Sequence, residues 1–373
     1  MRIGIDITLL GAVYTGQHFY ITSLLKEMFR IAREDTFILF TYGNSGRSDF
    51  AGSGNVEFVR MVSGNYNRIK RIFVQNTAMA GVAQKHELDA FFSPAFIQPV
   101  KTKGIRKVVT VHDLIYKAVP KTYKTLKNIY FDRMISGSLR TSDHVIAISE
   151  NTKRDIIRYF KTPPEKVKVI HYGLDDLFKR DIPAEELERK KKELSLPEKY
   201  FVYIGTLEPR KNLPYALKNL DRYFETDPAC RFLVYGWKGD LPSDVFRALN
   251  GMKHRQRVEF RGYISHDELP YIYTLSEGLI FVSLYEGFGL PPVEAAACGV
   301  PAYVLNRSSV KEVLGDHAFF IDDKEYGLYE ALIENKANRS HAATSGFKVF
   351  ARSYSWAVAA GKTLELIRGE KER

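Results

Sequence analysis

Residues 286–301 read Glu286-Gly287-Phe288-Gly289-Leu290-Pro291-Pro292-Val293-Glu294-Ala295-Ala296-Ala297-Cys298-Gly299-Val300-Pro301. The apolar run Leu279–Ser283 precedes them, so the segment reads as strand, glycine loop, helix. Gly287 and Gly289 let the backbone approach a ligand closely. Pro291 and Pro292 suit a first helical turn, and Gly299 is a helix-stop signal. A helix that starts directly off a strand turns free amides and its positive dipole end outward, which makes an anion site. Glu286 then lies in the loop beside the anion, and Glu294 lies one turn inside the helix. Carboxylates next to a phosphate site are suited to accept hydrogen bonds from sugar hydroxyls.

Outward from this segment, short β-branched runs alternate with amphipathic stretches, the pattern of parallel sheets with crossover helices. In the first half the expected strands are Arg2–Ile7, Phe37–Tyr42, Val56–Arg60, Ala90–Ser93, Lys107–His112, His144–Ile148 and Val167–His171. Helices are expected over Phe19–Ala32, Tyr66–Lys85 and Glu150–Phe160, the last with Ser149 as its N-cap. The alternation restarts after residue 195, with strands at Phe201–Gly205, Arg231–Tyr235, Val258–Arg261, Gly278–Val282 and Ala302–Leu305 and a helix from Asn212 to Phe224. Ala184–Leu194 is expected as a solvated charged helix. The fold class is α/β, two Rossmann-like, doubly wound domains meeting near residue 175 across a ligand cleft.

Two more strand ends carry chemistry. Tyr203-Ile204-Gly205-Thr206-Leu207-Glu208-Pro209-Arg210-Lys211-Asn212-Leu213 runs from a strand through a glycine turn to a basic pair at a helix start. Such a strand's carboxyl end is where open α/β sheets bind ligands. Val109-Thr110-Val111-His112-Asp113-Leu114 ends another strand on a histidine. The first strand leads into Leu10-Gly11-Ala12-Val13-Tyr14-Thr15-Gly16-Gln17-His18, a glycine-bearing loop.

The string from Glu286 to Glu294, two glutamates with seven residues between them around Gly-Phe-Gly-Leu-Pro, resembles the signature of glycosyltransferase family 4. The resemblance extends through Arg210-Lys211, His112-Asp113-Leu114, Ser149-Glu150-Asn151-Thr152, Gly173-Leu174-Asp175, Gly262-Tyr263-Ile264-Ser265 and Ser308-Ser309 to Ser355-Trp356. It departs at Thr15-Gly16-Gln17-His18-Phe19-Tyr20, where relatives carry Gly-Ile-Gly-Arg-Tyr, and at Lys311, where proline is usual.

The resemblance implies a GT-B architecture. It has an acceptor domain over 1–175, a donor domain over 176–350 and a final helix within 351–373 packing back on the first domain. It further implies a retaining, metal-independent hexosyltransferase working by front-face substitution. Arg210 and Lys211 would neutralise the departing diphosphate, Glu286 would steady the oxocarbenium-like sugar, and His112 would reach the sugar. Glu294 would hold the ribose, and Gly205, Thr206, Phe288, Gly289, Leu290, Tyr263 and Ile264 would line the donor. Gly16 and Gln17 would face the acceptor. No cofactor is implied beyond the nucleotide-sugar co-substrate, GDP-mannose first and a UDP-hexose second, with a glycan or lipid-linked glycan as acceptor. A nucleotide-sugar-binding module without transferase activity is the alternative, and a nucleotide-sugar epimerase of similar architecture is disfavoured by the same signature.

Composition narrows the class. The 373 residues suffice for two full cores, with 45% hydrophobic and 27% charged residues. Cys230 and Cys298 have no metal-ligand spacing, there is no Asp-X-Asp triplet, and the pattern suits two buried thiols in a reducing cytosol. The first residues read as a strand and not as a secretion signal, and no apolar run approaches the roughly 18 residues of a membrane span. The net charge of +11 lies in one half: residues 1–175 hold 26 Lys and Arg against 15 Asp and Glu, and residues 176–373 hold 29 of each. That asymmetry suggests an anionic partner, a leaflet at the inner face of a membrane or a phosphate-bearing acceptor, with excess lysine that merely keeps the protein soluble as the plainer alternative. No nucleic-acid motif accompanies it, so nucleic acid is not an expected partner.

Overall fold

A computed structural model describes residues 1–11, 16–98, 104–119, 125–236, 241–337 and 341–369. Residues 12–15 of the first glycine loop lie outside the described residues. Seven strands form the first sheet: β1 (Arg2–Asp6), β2 (Thr36–Tyr42), β3 (Val56–Val62), β4 (Ala90–Ser93), β5 (Arg106–Val111), β6 (His144–Ala147) and β7 (Val167–Val169). Six form the second: β8 (Tyr200–Ile204), β9 (Arg231–Tyr235), β10 (Val258–Gly262), β11 (Gly278–Phe281), β12 (Ala302–Leu305) and β13 (Phe319–Ile321). The spatial orders are β3-β2-β1-β4-β5-β6-β7 and β10-β9-β8-β11-β12-β13. Every pairing is parallel.

Parallel strands covered on both faces read as unbroken apolar runs, which is why these segments stood out in the sequence. Each sheet reverses its strand order once, between β1 and β4 and between β8 and β11. At such a reversal the crossover helices leave on opposite faces and a crevice opens at the strands' carboxyl ends.

Two compact units result, Met1–Gly173 with Ser355–Arg373, and Leu174–Tyr354. In the first, Val109, Val111, Ile135, Leu139 and Ile156 share one core cluster, and Ile38, Phe40, Met79 and Phe91 share another. In the second, Phe201, Leu217, Tyr223, Phe232, Ile280 and Tyr303 share one core.

The last helix, Trp356–Arg368, belongs to the first unit, where it packs on the helix Gly16–Ile31. Ser355 caps it as an acceptor for the Val358 amide, and it ends in left-handed Gly369. Trp356 sits among Phe19, Tyr20 and Tyr172, with ring centroids 5.8–5.9 Å away. Gly173 makes this possible: a β-carbon there would stand 2.2 Å from the Trp356 amide nitrogen.

Three details differ from the sequence expectations. The helix expected over Tyr66–Lys85 is two helices, Arg68–Thr77 and Met79–Lys85, joined at Ala78. β13 was not expected. The first turn after β8 is a short 3-10 segment, Pro209–Lys211, and the regular helix spans Leu213–Thr226.

Candidate active site

β8 and β11, the strands flanking the reversal in the second unit, deliver their following loops side by side. The Leu284 amide donates to the Arg210 carbonyl at 2.7 Å and fastens one loop to the other. Across that seam, Arg210 Nη1 and Lys211 Nζ both donate to Glu286 Oε1, at 2.8 and 2.7 Å. Arg210 Nε also donates to Glu208 at 2.7 Å.

These charges are largely withdrawn from water, with side-chain exposures of 18% for Arg210, 9% for Lys211 and 12% for Glu286. Burial works against the charge on Glu286, but Lys211 and Arg210 outweigh it and hold the carboxyl below its usual range. Burial lowers Lys211, which Glu286 opposes. The Lys211 ammonium also lies 5.0 Å from the Phe281 ring centroid.

The loop carrying Glu286 is held by two serines. The Glu286 amide donates to Ser308 Oγ at 2.9 Å, and Ser309 Oγ donates to the Glu286 carbonyl at 2.9 Å. Ser309 also reaches the Phe288 carbonyl. Gly289, at φ 93°, precedes the helix Leu290–Ala297, and only glycine enters that left-handed region without strain. Pro291 and Pro292 lack N–H groups and the Val293 amide makes the first helical bond, so the helix start offers the amides of Gly289 and Leu290 to an anion. Phe288 is buried, edge-on to Tyr354 at 5.6 Å, and Leu290 is half-buried.

Glu294 is 5% exposed and accepts from the Tyr273 hydroxyl at 2.9 Å. Burial raises its carboxyl to about 7, which His266 and the Tyr273 bond only partly oppose. His266 is in turn 3.3 Å from Asp175 and raised on balance: burial lowers it, but Asp175 and Glu294 prevail. Tyr263, 61% exposed, and half-buried Ile264 follow β10, while Gly205 is half-buried and Thr206 exposed after β8. Tyr273, the pairing of His266 with Asp175 and the holding roles of Ser308 and Ser309 are not legible in the sequence.

His112 lies in the first unit at the end of β5, 3% exposed. Its Nε2 is 2.7 Å from the Pro94 carbonyl and its Nδ1 is 2.5 Å from the Tyr172 hydroxyl. A carbonyl only accepts, so Nε2 carries the proton and Nδ1 accepts from Tyr172. Burial lowers its pKa to about 4, so the ring is neutral near pH 7. Gly16 and Gln17 begin the helix Gly16–Ile31, with Gly16 exposed and Gln17 half-buried. Among the described residues no group of three or more His, Cys, Asp or Glu is placed to hold a metal ion, and no helix is long and apolar enough to cross a membrane.

Residues 14–176 match the family model "Glycosyltransferase Family 4", and residues 184–341 match "Glycosyl transferases group 1". The chain belongs to glycosyltransferase family 4. Among curated relatives of this glycosyltransferase, an O-antigen chain mannosyltransferase B of Escherichia coli is 27% identical over 271 residues, 71% of this chain and 70% of the relative. The serotype-specific mannosyltransferase WbdA of Escherichia coli is 28% identical over 68% of this chain, which spans only 34% of WbdA. Solved structures share the fold across whole chains. Sucrose-phosphate synthase of Thermosynechococcus elongatus has a TM-score of 0.77 at 18% identity, covering 99% of this chain and 98% of that one. HepE of Anabaena, in complex with UDP-glucose, has a TM-score of 0.75 at 15% identity, covering 99% and 100%. The architecture is GT-B, with two parallel-sheet Rossmann-like domains.

Proposed function

We propose that this glycosyltransferase moves a hexose, mannose from GDP-mannose first, onto a growing glycan or lipid-linked glycan in cell-surface polysaccharide synthesis. The observation that carries the reading is the convergence of Arg210 and Lys211 on one oxygen of Glu286 at the β8/β11 reversal. Two buried cations at a strand-order reversal fit a diphosphate. On donor arrival the diphosphate shares Arg210 and Lys211, which frees Glu286 to face the transferred sugar. Charge building on the departing phosphate is then met by fixed cations and the helix-start amides, without a divalent metal. Configuration at the sugar is retained by front-face substitution, with the phosphate oxygen taking the acceptor's proton. Glu294 accepts from the ribose hydroxyls; Gly205, Thr206, Phe288, Gly289, Leu290, Tyr263 and Ile264 complete the donor wall. His112, a neutral imidazole whose ring nitrogens are engaged by the Pro94 carbonyl and the Tyr172 hydroxyl, offers the sugar a fixed dipole and does not serve as acid or base. Gly16 and Gln17 stand on the acceptor side.

Mannose takes first place because the two curated relatives described above are named as mannosyltransferases, and a UDP-hexose takes second because HepE holds UDP-glucose. A thermal-shift panel with GDP, UDP, ADP and their common sugars, followed by product analysis with and without EDTA, tests the reading. The expected result is stabilisation by one base and its sugar, with EDTA-insensitive transfer and retained configuration. Stabilisation without transfer to any glycan acceptor would make the chain a binding module. Stabilisation by none of the nucleotides would remove the donor reading altogether.

A further inference from the structure

The helix Arg68–Thr77 presents Ile69 and Phe73 to solvent at 78% and 67% exposure, among the most exposed large apolar side chains of the first unit. Their spacing of four puts them on one face, one turn apart. The opposite side is anchored: Gln75 is 2% exposed and donates to the Asp6 carboxylate and to the Ile97 carbonyl. The apolar pair therefore points away from the core by construction.

Charge accompanies it. Arg68, Lys70 and Arg71 occupy the first turn, where the helix's positive dipole end disfavours cations. Helix stability alone selects against that placement, and Asn67 meets it only as a neutral cap for the Ile69 and Lys70 amides. From Phe58 to His86 there are five Lys or Arg and no Asp or Glu. A segment without acidic residues that presents two apolar side chains and Lys70 to solvent matches an occupant that is anionic outside and apolar just beneath. An anionic bilayer leaflet has that profile. A nucleic acid supplies the charge without the apolar layer, and a protein partner would ordinarily be met by some charge of both signs.

We propose that the helix Arg68–Thr77 docks the first unit on an anionic membrane surface. Ile69 and Phe73 enter the headgroup–acyl boundary, and exposed Lys70 lies against the headgroups. The proposal does not depend on the donor reading, because its test contains neither donor nor acceptor. The full chain is floated with vesicles of phosphatidylcholine alone and with vesicles containing phosphatidylglycerol. Binding is expected on the anionic vesicles only, weakening as salt rises. Ile69→Ser/Phe73→Ser should lose about tenfold or more of that binding. Lys70→Gln should weaken it and flatten its salt dependence. Phe246→Ser, an exposed apolar position in the second unit, should leave binding unchanged. Thermal unfolding of each variant shows that it is folded. No binding to anionic vesicles at low salt overturns the proposal, as does equal binding by wild type, Ile69→Ser/Phe73→Ser and Lys70→Gln. Capture by a soluble polyanion that ignores the Ile69→Ser/Phe73→Ser change would assign the surface to a different partner and overturn it equally.

Discussion

Glu286 is the residue on which the second unit's charges balance. Removing its carboxylate leaves Arg210 and Lys211 buried against each other, and removing Lys211 leaves the carboxylate on Arg210 alone. Breaking a buried pair in this way costs on the order of 3–5 kcal/mol, so both changes should lower thermal stability. Their kinetic signatures should separate. Glu286→Ala is expected to lose about 10²–10³ in turnover with smaller change in donor affinity, and Lys211→Ala to weaken donor binding and rate together. Near-normal turnover in both variants, measured in a transfer assay, would end the assignment.

Glu294 gives a pH signature. Its folded pKa of about 7 lies above the ordinary glutamate value, so between the two the folded state holds a proton that the unfolded chain has released. Stability from this group is therefore present at low pH and falls as pH rises from about 4.5 towards 7. Ribose hydroxyls prefer the ionised form as acceptor, so donor affinity should run the opposite way, strengthening from pH 6 to 8. Calorimetric titrations should show that rise in the wild type and a flat profile in Glu294→Gln. Both glutamates were legible because they sit in one contiguous string. Tyr273 and the Asp175–His266 pair were not: their contacts span 21 and 91 residues, and nothing local marks a tyrosine whose hydroxyl is aimed at a distant carboxylate.

At the scale of elements, two glycines predict opposite outcomes for one substitution. Gly173→Ala drives a methyl group to 2.2 Å from the Trp356 backbone and forces the last helix off its seat. The expected loss is about 1–3 kcal/mol in urea unfolding. Gly81, within the helix Met79–Lys85, has open space where its β-carbon would go, so Gly81→Ala should gain about 0.5–1 kcal/mol through helix propensity. A stable Gly173→Ala protein would show that the chain crossing at Trp356 tolerates displacement. Most strands could be located beforehand because buried parallel strands are apolar throughout. β13 escaped because it is three residues long and two of them are only half-buried. The break at Ala78 escaped because no proline or glycine marks it; the chain merely restarts its hydrogen bonding in an ordinary helical conformation.

For the whole molecule, the consequential feature is that the chain begins and ends its described course in the same unit. Trp356, Leu364, Leu366 and Ile367 are all buried there, and each contributes about 1.5–3 kcal/mol of burial. Arg368 adds an ion pair to Asp35 at 2.8 Å. Truncation after Tyr354 should therefore lower the unfolding temperature of the first unit while leaving that of the second. Calorimetry would show one transition split into two, and a uniform downward shift of a single transition would refute the division.

What the sequence determined by itself is whatever physics writes locally: alternating apolar runs that make two parallel sheets, glycine and proline punctuation around residues 287–299, and a charge excess confined to the first 175 residues. Strand and helix periodicities are short-range, so they survive without the fold. The tertiary structure decided which charges meet. It set Arg210 and Lys211 on a single oxygen of Glu286, gave Glu294 a buried tyrosine, and turned Ile69 and Phe73 outward by burying Gln75 behind them. Those outcomes depend on strand order and on desolvation. Both belong to the folded chain as a whole and to no stretch of letters within it.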